Sequence, residues 1–255
     1  PQTREHLAIV QLLGIPRALV AITKCDRVEP RRVSEVQAQI SILLAAGPYA
    51  GAAQFALSSV TGESVDALRQ ALLKAQGEIF ERSRVGGFRL AVDRAFAVAG
   101  AGIVVTGTAL DGQVQLGGTL FLGKAGKPVR VRSLHAQNQA VPEAWAGQRV
   151  ALNISAERLE LAQIHRGDWL LADWLHAPTQ RVDIEMQLLA SEIRSFGHFS
   201  PVHVHLGTQD VTARVALLEG ELLLPGGRMF AQLQLNAPLQ AVHGDRLVLR
   251  DHSAQ

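Results

Sequence analysis

The feature that most constrains this chain is a change of hydrophobic period at Gly86-Gly87. Before this point helical spacing alternates with short apolar runs, and after it apolar residues recur with period two. Alternating helices and strands predict a parallel sheet covered by helices, whereas short strands separated by glycine-containing turns predict β-barrels. We therefore expect a multidomain chain that combines an α/β part with an all-β part.

The α/β part covers residues 1 to about 80. Two apolar runs, Ala18–Thr23 and Phe55–Leu57, are typical of buried strands. A helix is expected to begin at Pro30, because the fixed φ of proline suits the first helical turn. Another is expected from about Val65 to Gln76. The order of these elements predicts a parallel strand pair.

The all-β part begins with two period-two runs, 88–96 and 103–110, on either side of Gly100-Ala101-Gly102. This pattern predicts a hairpin with a tight turn. Short strands continue to about Leu171, and a second block of them follows Pro178. Two barrel-sized blocks are therefore expected.

Composition narrows the class only slightly. The chain is 47% hydrophobic and 19% charged with a net charge of +2, which is weak evidence for a polyanionic partner. Cys25 is the only cysteine, so an internal disulfide is excluded and a reducing compartment is expected. No membrane span or signal peptide is visible in the sequence, and we expect a cytoplasmic protein.

The first motif with specific chemistry is Thr23-Lys24-Cys25-Asp26, directly after an apolar run. Ligands of open α/β sheets bind at the carboxyl ends of the strands. The Asp26 carboxylate can accept hydrogen bonds from guanine N1–H and its exocyclic amine, whereas adenine offers neither. Lys24 can lie along the face of the base with its methylene stem. This loop is therefore expected to bind guanine.

The second motif is Ser58-Ser59-Val60, which follows the apolar run at 55–57. Its small side chains are expected to leave backbone N–H groups free for guanine O6. The two motifs resemble the fourth and fifth guanine motifs of GTP-binding proteins, Asn-Lys-x-Asp and Ser-Ala-x. Thr23 and Ser59 depart from that pattern, and the loss of an amide at Thr23 is expected to affect nucleotide affinity.

A phosphate loop, Gly-x-x-x-x-Gly-Lys-Ser/Thr, does not occur in this sequence, and neither does an Asp-x-x-Gly magnesium motif. Nothing in the chain would then hold the phosphates or Mg²⁺. We expect no catalytic residues and no GTP hydrolysis by this chain alone.

Seven further segments have the pattern of a known family: Pro1–His6, Val92–Phe96, Gly100–Thr108, Leu134–Gln139, Ala146–Asn153, Arg166–Leu171 and Asp245–Asp251. Together with the two guanine motifs they resemble the selenocysteine-specific elongation factors, the SelB family, a branch of the translational GTPases, and the resemblance extends over nearly all of the chain. It implies the C-terminal half of a P-loop GTPase domain at 1–82, a domain II barrel at 86–173 and a domain III barrel at 180–255. The chain would then be truncated at both ends.

The resemblance also implies ligands and partners. Such factors bind GTP or GDP, with Mg²⁺ in the complete protein only, and deliver selenocysteinyl-tRNA to the ribosome. They contact an mRNA hairpin through a region that lies outside this sequence. A selenol is largely anionic at neutral pH and serine is neutral, so a cationic pocket would favour selenocysteine. Arg94 and Arg149 are the candidates for the cation, with Asp93 orienting one of them and His135 as a weaker candidate.

Several alternatives stay open at this level. Asp93-Arg94 is also consistent with an ion pair at a strand edge. Arg130 and Arg132 share one strand face, where they contact either tRNA phosphates or solvent. A histidine cluster fits a strand face better than a zinc site; its members are His198, His203 and His205. Rival families are elongation factor Tu itself and the GTPase subunit of sulfate adenylyltransferase, and a barrel protein without a nucleotide is a third possibility.

Overall fold

A computed structural model describes residues 2–45, 47–78 and 84–251 of the chain. The chain divides into two compact units, residues 1–81 and residues 82–255. None of the helices in the described residues is long and apolar enough to cross a membrane.

The first unit alternates helices and strands. In chain order its elements are α1 Gln2–Leu12, β1 Val20–Ile22, α2 Pro30–Ala45, β2 Gln54–Ala56 and α3 Val65–Gly77. β1 and β2 pair in parallel, with Val20 opposite Gln54 and Ile22 opposite Ala56. The prediction of a parallel strand pair and of a helix that begins at Pro30 is confirmed.

The prediction that 18–23 forms a buried strand is wrong in length and in burial. β1 covers three residues, of which Val20 and Ile22 are half-buried and Ala21 is exposed. Within the described residues the sheet consists of β1 and β2 only, so its other edges are not enclosed. An apolar run marks a strand that can be buried, but neighbouring strands must be present to bury it.

The second unit begins with strands that carry alternating apolar residues. They are β3 Arg89–Val98, β4 Gly102–Asp111, β5 Gln113–Gln115, β6 Thr119–Leu122, β7 Lys127–Ala136, β8 Gln139–Ala140, β9 Glu143–Trp145, β10 Arg149–Ser155 and β11 Trp169–Leu171. β3 and β4 form the expected hairpin, in which Gly100 has a φ of 77°. Such a φ is easily adopted by glycine and disfavoured for other residues.

Six of these strands close into a barrel, which we call the first barrel. The hydrogen-bonded order is β10-β4-β3-β11-β6-β7, and β7 pairs with β10 to complete the ring. The inward-facing residues form one core around Leu90, Val105, Leu122 and Leu152, each fully buried. Closure leaves the alternate side chains of each strand on the outer surface.

The remaining strands form what we call the second sheet. They are β12 Thr179–Gln187, β13 Phe196–Gly197, β14 Ser200–Leu206, β15 Gln209–Leu217, β16 Leu222–Leu223, β17 Arg228–Leu239 and β18 Val248–Asp251. Five strands pair in the order β12-β17-β15-β14-β18, and β13 pairs with β16. The core of the second sheet also includes Ala91, Trp169 and Leu171 of the first barrel, so the two parts share apolar packing.

Candidate functional site

The first candidate site lies at the carboxyl ends of β1 and β2. The Cys25 N–H donates to the Leu57 carbonyl at 3.3 Å, and the Leu57 N–H donates to the Ile22 carbonyl at 2.9 Å. These bonds continue the parallel ladder beyond the strands. Because of them, the loop that follows β1 and the loop that follows β2 are adjacent in space.

The loop after β1 presents polar side chains to solvent. Thr23, Lys24 and Asp26 are exposed, and Lys24 has a left-handed backbone with a φ of 63°. A hollow of about 290 Å³ is lined in part by Thr23, Lys24 and Cys25. The Cys25 thiol donates to the Ile22 carbonyl at 3.2 Å, so this side chain braces the loop. The Asp26 carboxylate has no hydrogen-bond or ion-pair partner within the described part of the chain.

The loop after β2 is organised by Ser58, whose residue surface is 0% exposed. Its hydroxyl oxygen accepts the N–H groups of Val60 and Thr61, both at 3.2 Å. The expectation that this motif leaves several N–H groups free is therefore wrong for Val60. The Ser59 N–H donates to no other group among the described residues, so it is available as a donor.

The second candidate site is on the outer surface of the first barrel, where β3 has a bulge. Val92 pairs with Gly107 and Arg94 pairs with Thr106, so Asp93 is the extra residue that has no partner in the ladder. A bulge turns the side chain of its extra residue away from the regular alternation. Here it directs the Asp93 carboxylate across β4.

Two side chains hold this carboxylate. The Thr106 hydroxyl donates to Asp93 Oδ1 at 2.6 Å, and Arg149 Nη1 lies 2.5 Å from Asp93 Oδ2. The Asp93 side chain is 15% exposed and that of Arg149 is 60% exposed. The arrangement fixes one end of the guanidinium and leaves its remaining N–H groups facing solvent.

The pKa of Asp93 is shifted by its contacts with Thr106 and Arg149. Partial burial raises the pKa of this carboxyl, but the hydrogen bonds from Thr106 and Arg149, together with the charges of Arg149 and Arg94, lower it below its ordinary value. Asp93 is therefore ionised at neutral pH, and the local charge of Asp93, Arg94 and Arg149 sums to one positive charge.

The other two predicted residues of this site lie on the same outer surface. Arg94 pairs with Thr106, Thr106 with Ala151, and Ala151 with His135. Directly opposed residues of antiparallel strands place their side chains on one face. Arg94 and His135 are both exposed, at the two ends of this row. The ion pair of Asp93 is with Arg149 and not with its chain neighbour Arg94.

The basic strand and the histidine cluster have more ordinary surroundings. Arg130 and Arg132 are exposed on β7, and Arg132 Nε donates to the Ser155 hydroxyl at 2.8 Å. His203 Nδ1 lies 3.1 Å from an Asp210 carboxylate oxygen. The described ranges contain no group of three or more His, Cys, Asp or Glu residues arranged to hold a metal ion.

Two residues that shape the Asp93 site were not singled out from the sequence. Thr106 is part of a recognised motif, and its outward position follows from its place next to the inward Val105 on β4. Thr208 donates its hydroxyl to the Val92 carbonyl at 2.7 Å from the turn between β14 and β15. No sequence signal connects residue 208 with residue 92.

Comparisons with known proteins agree with this architecture. A family model described as the elongation factor Tu GTP binding domain matches residues 1–77, and one described as the beta-barrel domain of the selenocysteine-specific elongation factor matches residues 179–255. The chain is 47% identical over 254 residues to the selenocysteine-specific elongation factor of Escherichia coli (strain K12). That match includes 100% of this chain and 39% of the relative, so the chain spans about two fifths of its length.

Solved structures show the same fold. A crystal structure of a bacterial selenocysteine-specific elongation factor, EF-Sec, superposes with a TM-score of 0.85 at 23% identity, over 99% of this chain and 40% of that one. Translation elongation factor SelB from Methanococcus maripaludis, in complex with the GTP analogue GppNHp, superposes with a TM-score of 0.79 at 25% identity, over 97% of this chain and 57% of that one.

The parallel strand pair, its two loops and the barrel that follows define the class of protein, the translation factors of the elongation factor Tu type. Within that class, this chain belongs to the family of selenocysteine-specific elongation factors.

Proposed function

We propose that this chain provides the guanine-binding loops and the aminoacyl-recognition surface of a GTP-dependent factor that carries selenocysteinyl-tRNA to the ribosome in the cytoplasm. Residues 1–82 then belong to the GTP-binding domain, 86–173 to domain II and 180–255 to domain III. The observation that carries the proposal is the Arg149 guanidinium, held by Asp93 and flanked by Arg94 on the outer surface of the first barrel.

The charge of this cluster explains a preference for selenocysteine over serine. Asp93 holds one edge of the guanidinium, and the Arg149 side chain is still 60% exposed, so its other donors can bind an anion. A selenolate forms an ion pair with the guanidinium there, whereas the neutral hydroxyl of serine can only accept a hydrogen bond from it. Arg94 adds a second positive charge, and His135 lies at the far end of the row.

The loops after β1 and β2 have the groups that the guanine end of GTP or GDP requires. The Asp26 carboxylate is exposed and can accept from N1–H and the exocyclic amine, and the Ser59 N–H can donate to O6. Thr23 and Lys24 border the same loop, while Ser58 and Val60 maintain the shape of the second loop. The Mg²⁺ and phosphate groups would need motifs that this sequence does not contain.

The tRNA itself is expected to contact the outer surface of the first barrel. Arg130 and Arg132 project from β7, which pairs with β10, the strand that begins with Arg149. Basic side chains at this position can bind backbone phosphates, which orients the tRNA without reading its sequence. The rival identification as a GTPase subunit of sulfate adenylyltransferase is favoured by none of these contacts.

A chimaera tests the proposal. The 254 residues that align with the Escherichia coli relative replace the matching segment of that protein, whose remaining parts are kept, and GTP-dependent binding of selenocysteinyl-tRNA and seryl-tRNA is measured. We expect Arg149→Gln to weaken binding of selenocysteinyl-tRNA by about 10- to 100-fold, the range for a lost charged hydrogen bond, with little effect on seryl-tRNA.

The control for general charge loss is Arg130→Gln, which removes an exposed arginine from the neighbouring strand. It should weaken both tRNAs equally and by a smaller factor. If Arg149→Gln also weakens both tRNAs equally, Arg149 binds the tRNA generally and the selenocysteine-recognition role is rejected.

A further inference from the structure

The turn between β14 and β15 of the second sheet, Gly207-Thr208, packs against the first barrel together with Gln209, the first residue of β15. Trp169 Nε1 donates to Gln209 Oε1 at 2.9 Å, which anchors one end of the turn on β11. A Cβ atom added at Gly207 would lie 3.0 Å from the Ala91 Cβ, so the backbone of the turn is in close contact with β3. The turn therefore connects the second sheet to the first barrel through a hydrogen bond and close packing.

Thr208, the second residue of this turn, binds the backbone at the bulge. The Thr208 hydroxyl donates to the Val92 carbonyl at 2.7 Å. The same oxygen accepts the Gly167 N–H at 3.0 Å, while the Val92 N–H donates to the Asp168 carbonyl at 2.9 Å. Val92 is fully buried, and its carbonyl oxygen accepts these two hydrogen bonds from protein groups, as buried polar atoms generally do.

The Val92 carbonyl belongs to the peptide group that leads into Asp93. At this point β3 departs from its register with β4, so the β4 ladder does not hold Asp93 itself. The orientation of the Val92–Asp93 peptide plane determines the direction in which the Asp93 side chain leaves the backbone. The contacts from Gly167 and Thr208 thus restrict the placement of the carboxylate that binds Thr106 and Arg149.

We propose that Thr208 is a positioning residue for the aminoacyl-recognition site, contributed by the second sheet and acting through the Val92–Asp93 peptide. Its hydroxyl keeps the bulge in the one orientation in which Asp93 reaches Thr106 and Arg149 together. The consequence for selenocysteine rests on the proposed function of Arg149, whereas the effect on Asp93 does not.

Thr208→Val removes the hydroxyl at nearly constant side-chain volume and leaves the Gly167 bond to Val92 in place, so the fold is expected to persist. The pKa of Asp93 is measured by carbon-13 NMR of its carboxyl group in the 255-residue chain. We expect Thr208→Val to raise this pKa toward the ordinary aspartate value of about 3.9, because the bonds to Thr106 and Arg149 lengthen.

Two further variants separate positioning from general loss of structure. Thr208→Ser restores a hydroxyl and should restore the wild-type pKa of Asp93. Thr212→Val removes a hydroxyl on β15 that accepts from Asn236 within the second sheet, and it should leave this pKa unchanged. An unchanged Asp93 pKa in Thr208→Val, or an equal rise in Thr212→Val, overturns the proposal.

The chimaera gives a second readout. Thr208→Val should reduce the preference for selenocysteinyl-tRNA over seryl-tRNA by about fivefold, the factor that corresponds to one neutral hydrogen bond. If the Asp93 pKa rises while neither Thr208→Val nor Arg149→Gln alters the preference, the positioning role stands and the proposed function fails. If Arg149→Gln abolishes the preference and Thr208→Val changes neither readout, only the positioning role fails.

Discussion

At the scale of single residues, the Asp93 carboxylate is the group whose surroundings are most specific. It lies on a bulge, accepts a hydrogen bond from Thr106 and pairs with Arg149. These contacts and the charge of Arg94 outweigh the effect of burial and lower the pKa of Asp93. The ionised form is therefore favoured by folding, which links this residue to the pH dependence of stability.

Asp93→Asn tests this linkage. Since the folded-state pKa is lowered, the stabilisation by Asp93 is complete above the unfolded-state pKa of about 3.9 and is lost as the pH falls through the folded-state pKa. The variant should be less stable than the wild type near pH 6, and the difference should shrink below about pH 4. Urea unfolding across this range measures it. A difference that does not vary with pH would contradict the assignment.

At the scale of elements, the β3–β4 hairpin depends on a glycine that is not in a turn. A Cβ atom added at Gly107 would lie 2.2 Å from the Ala91 carbonyl oxygen and 2.7 Å from Leu90 Cδ2. The glycine in the Thr106-Gly107-Thr108 motif therefore allows β3 to approach β4 next to the bulge. Its role in the motif is structural, whereas Thr106 beside it contacts Asp93.

Gly107→Ala should destabilise the second unit by about 1 to 3 kcal/mol, the usual cost of inserting a group into a packed position. Gly197→Ala is the matched control, because an added Cβ there would meet only ordinary contacts, 3.6 Å from the Ser200 hydroxyl oxygen. Denaturant unfolding followed by circular dichroism compares the two variants. Equal stability of both would show that the close approach at Gly107 relaxes without cost.

At the scale of the whole second unit, a buried arginine joins the first barrel to the second sheet. Arg89 on β3 forms two bonds to the Asp245 carboxylate, at 2.8 and 2.7 Å, and a third to the Gln240 carbonyl at 3.2 Å. Its side chain is 4% exposed and lies over the Trp169 ring at 4.9 Å. Together with the shared apolar core, this network predicts that the two parts unfold in one transition.

Arg89→Met should lower the free energy of unfolding by about 3 to 5 kcal/mol, because it leaves the largely buried Asp245 charge without its partner. Arg130→Met, which changes an exposed arginine on β7, should have an effect within about 0.5 kcal/mol. Tryptophan fluorescence follows both, since Trp169 is 1% exposed in the folded state. Separate transitions for the first barrel and the second sheet in the wild type would contradict the prediction.

Several features of the fold could be predicted from the sequence, because each depends on residues that are close together along the chain. The change of period at Gly86-Gly87 separates the α/β unit from the β strands, and the Gly100 turn joins β3 to β4 as expected. The burial of 18–23 could not be predicted in this way, since it depends on which strands lie beside β1. The roles of Asp26 and Arg149 stay predictions until binding is measured.

The sequence by itself determined the class of fold, the order of the two candidate guanine motifs and the resemblance to selenocysteine-specific factors, because periodicity and short motifs are local properties. Only the tertiary structure decided that Asp93 pairs with Arg149 and not Arg94, that Val60 has no free N–H, and that Thr208 holds the bulge. These contacts join residues far apart in the chain. Strand register and the packing of the second sheet on the first barrel bring these residues together, and neither can be derived from the spacing of residues along the sequence.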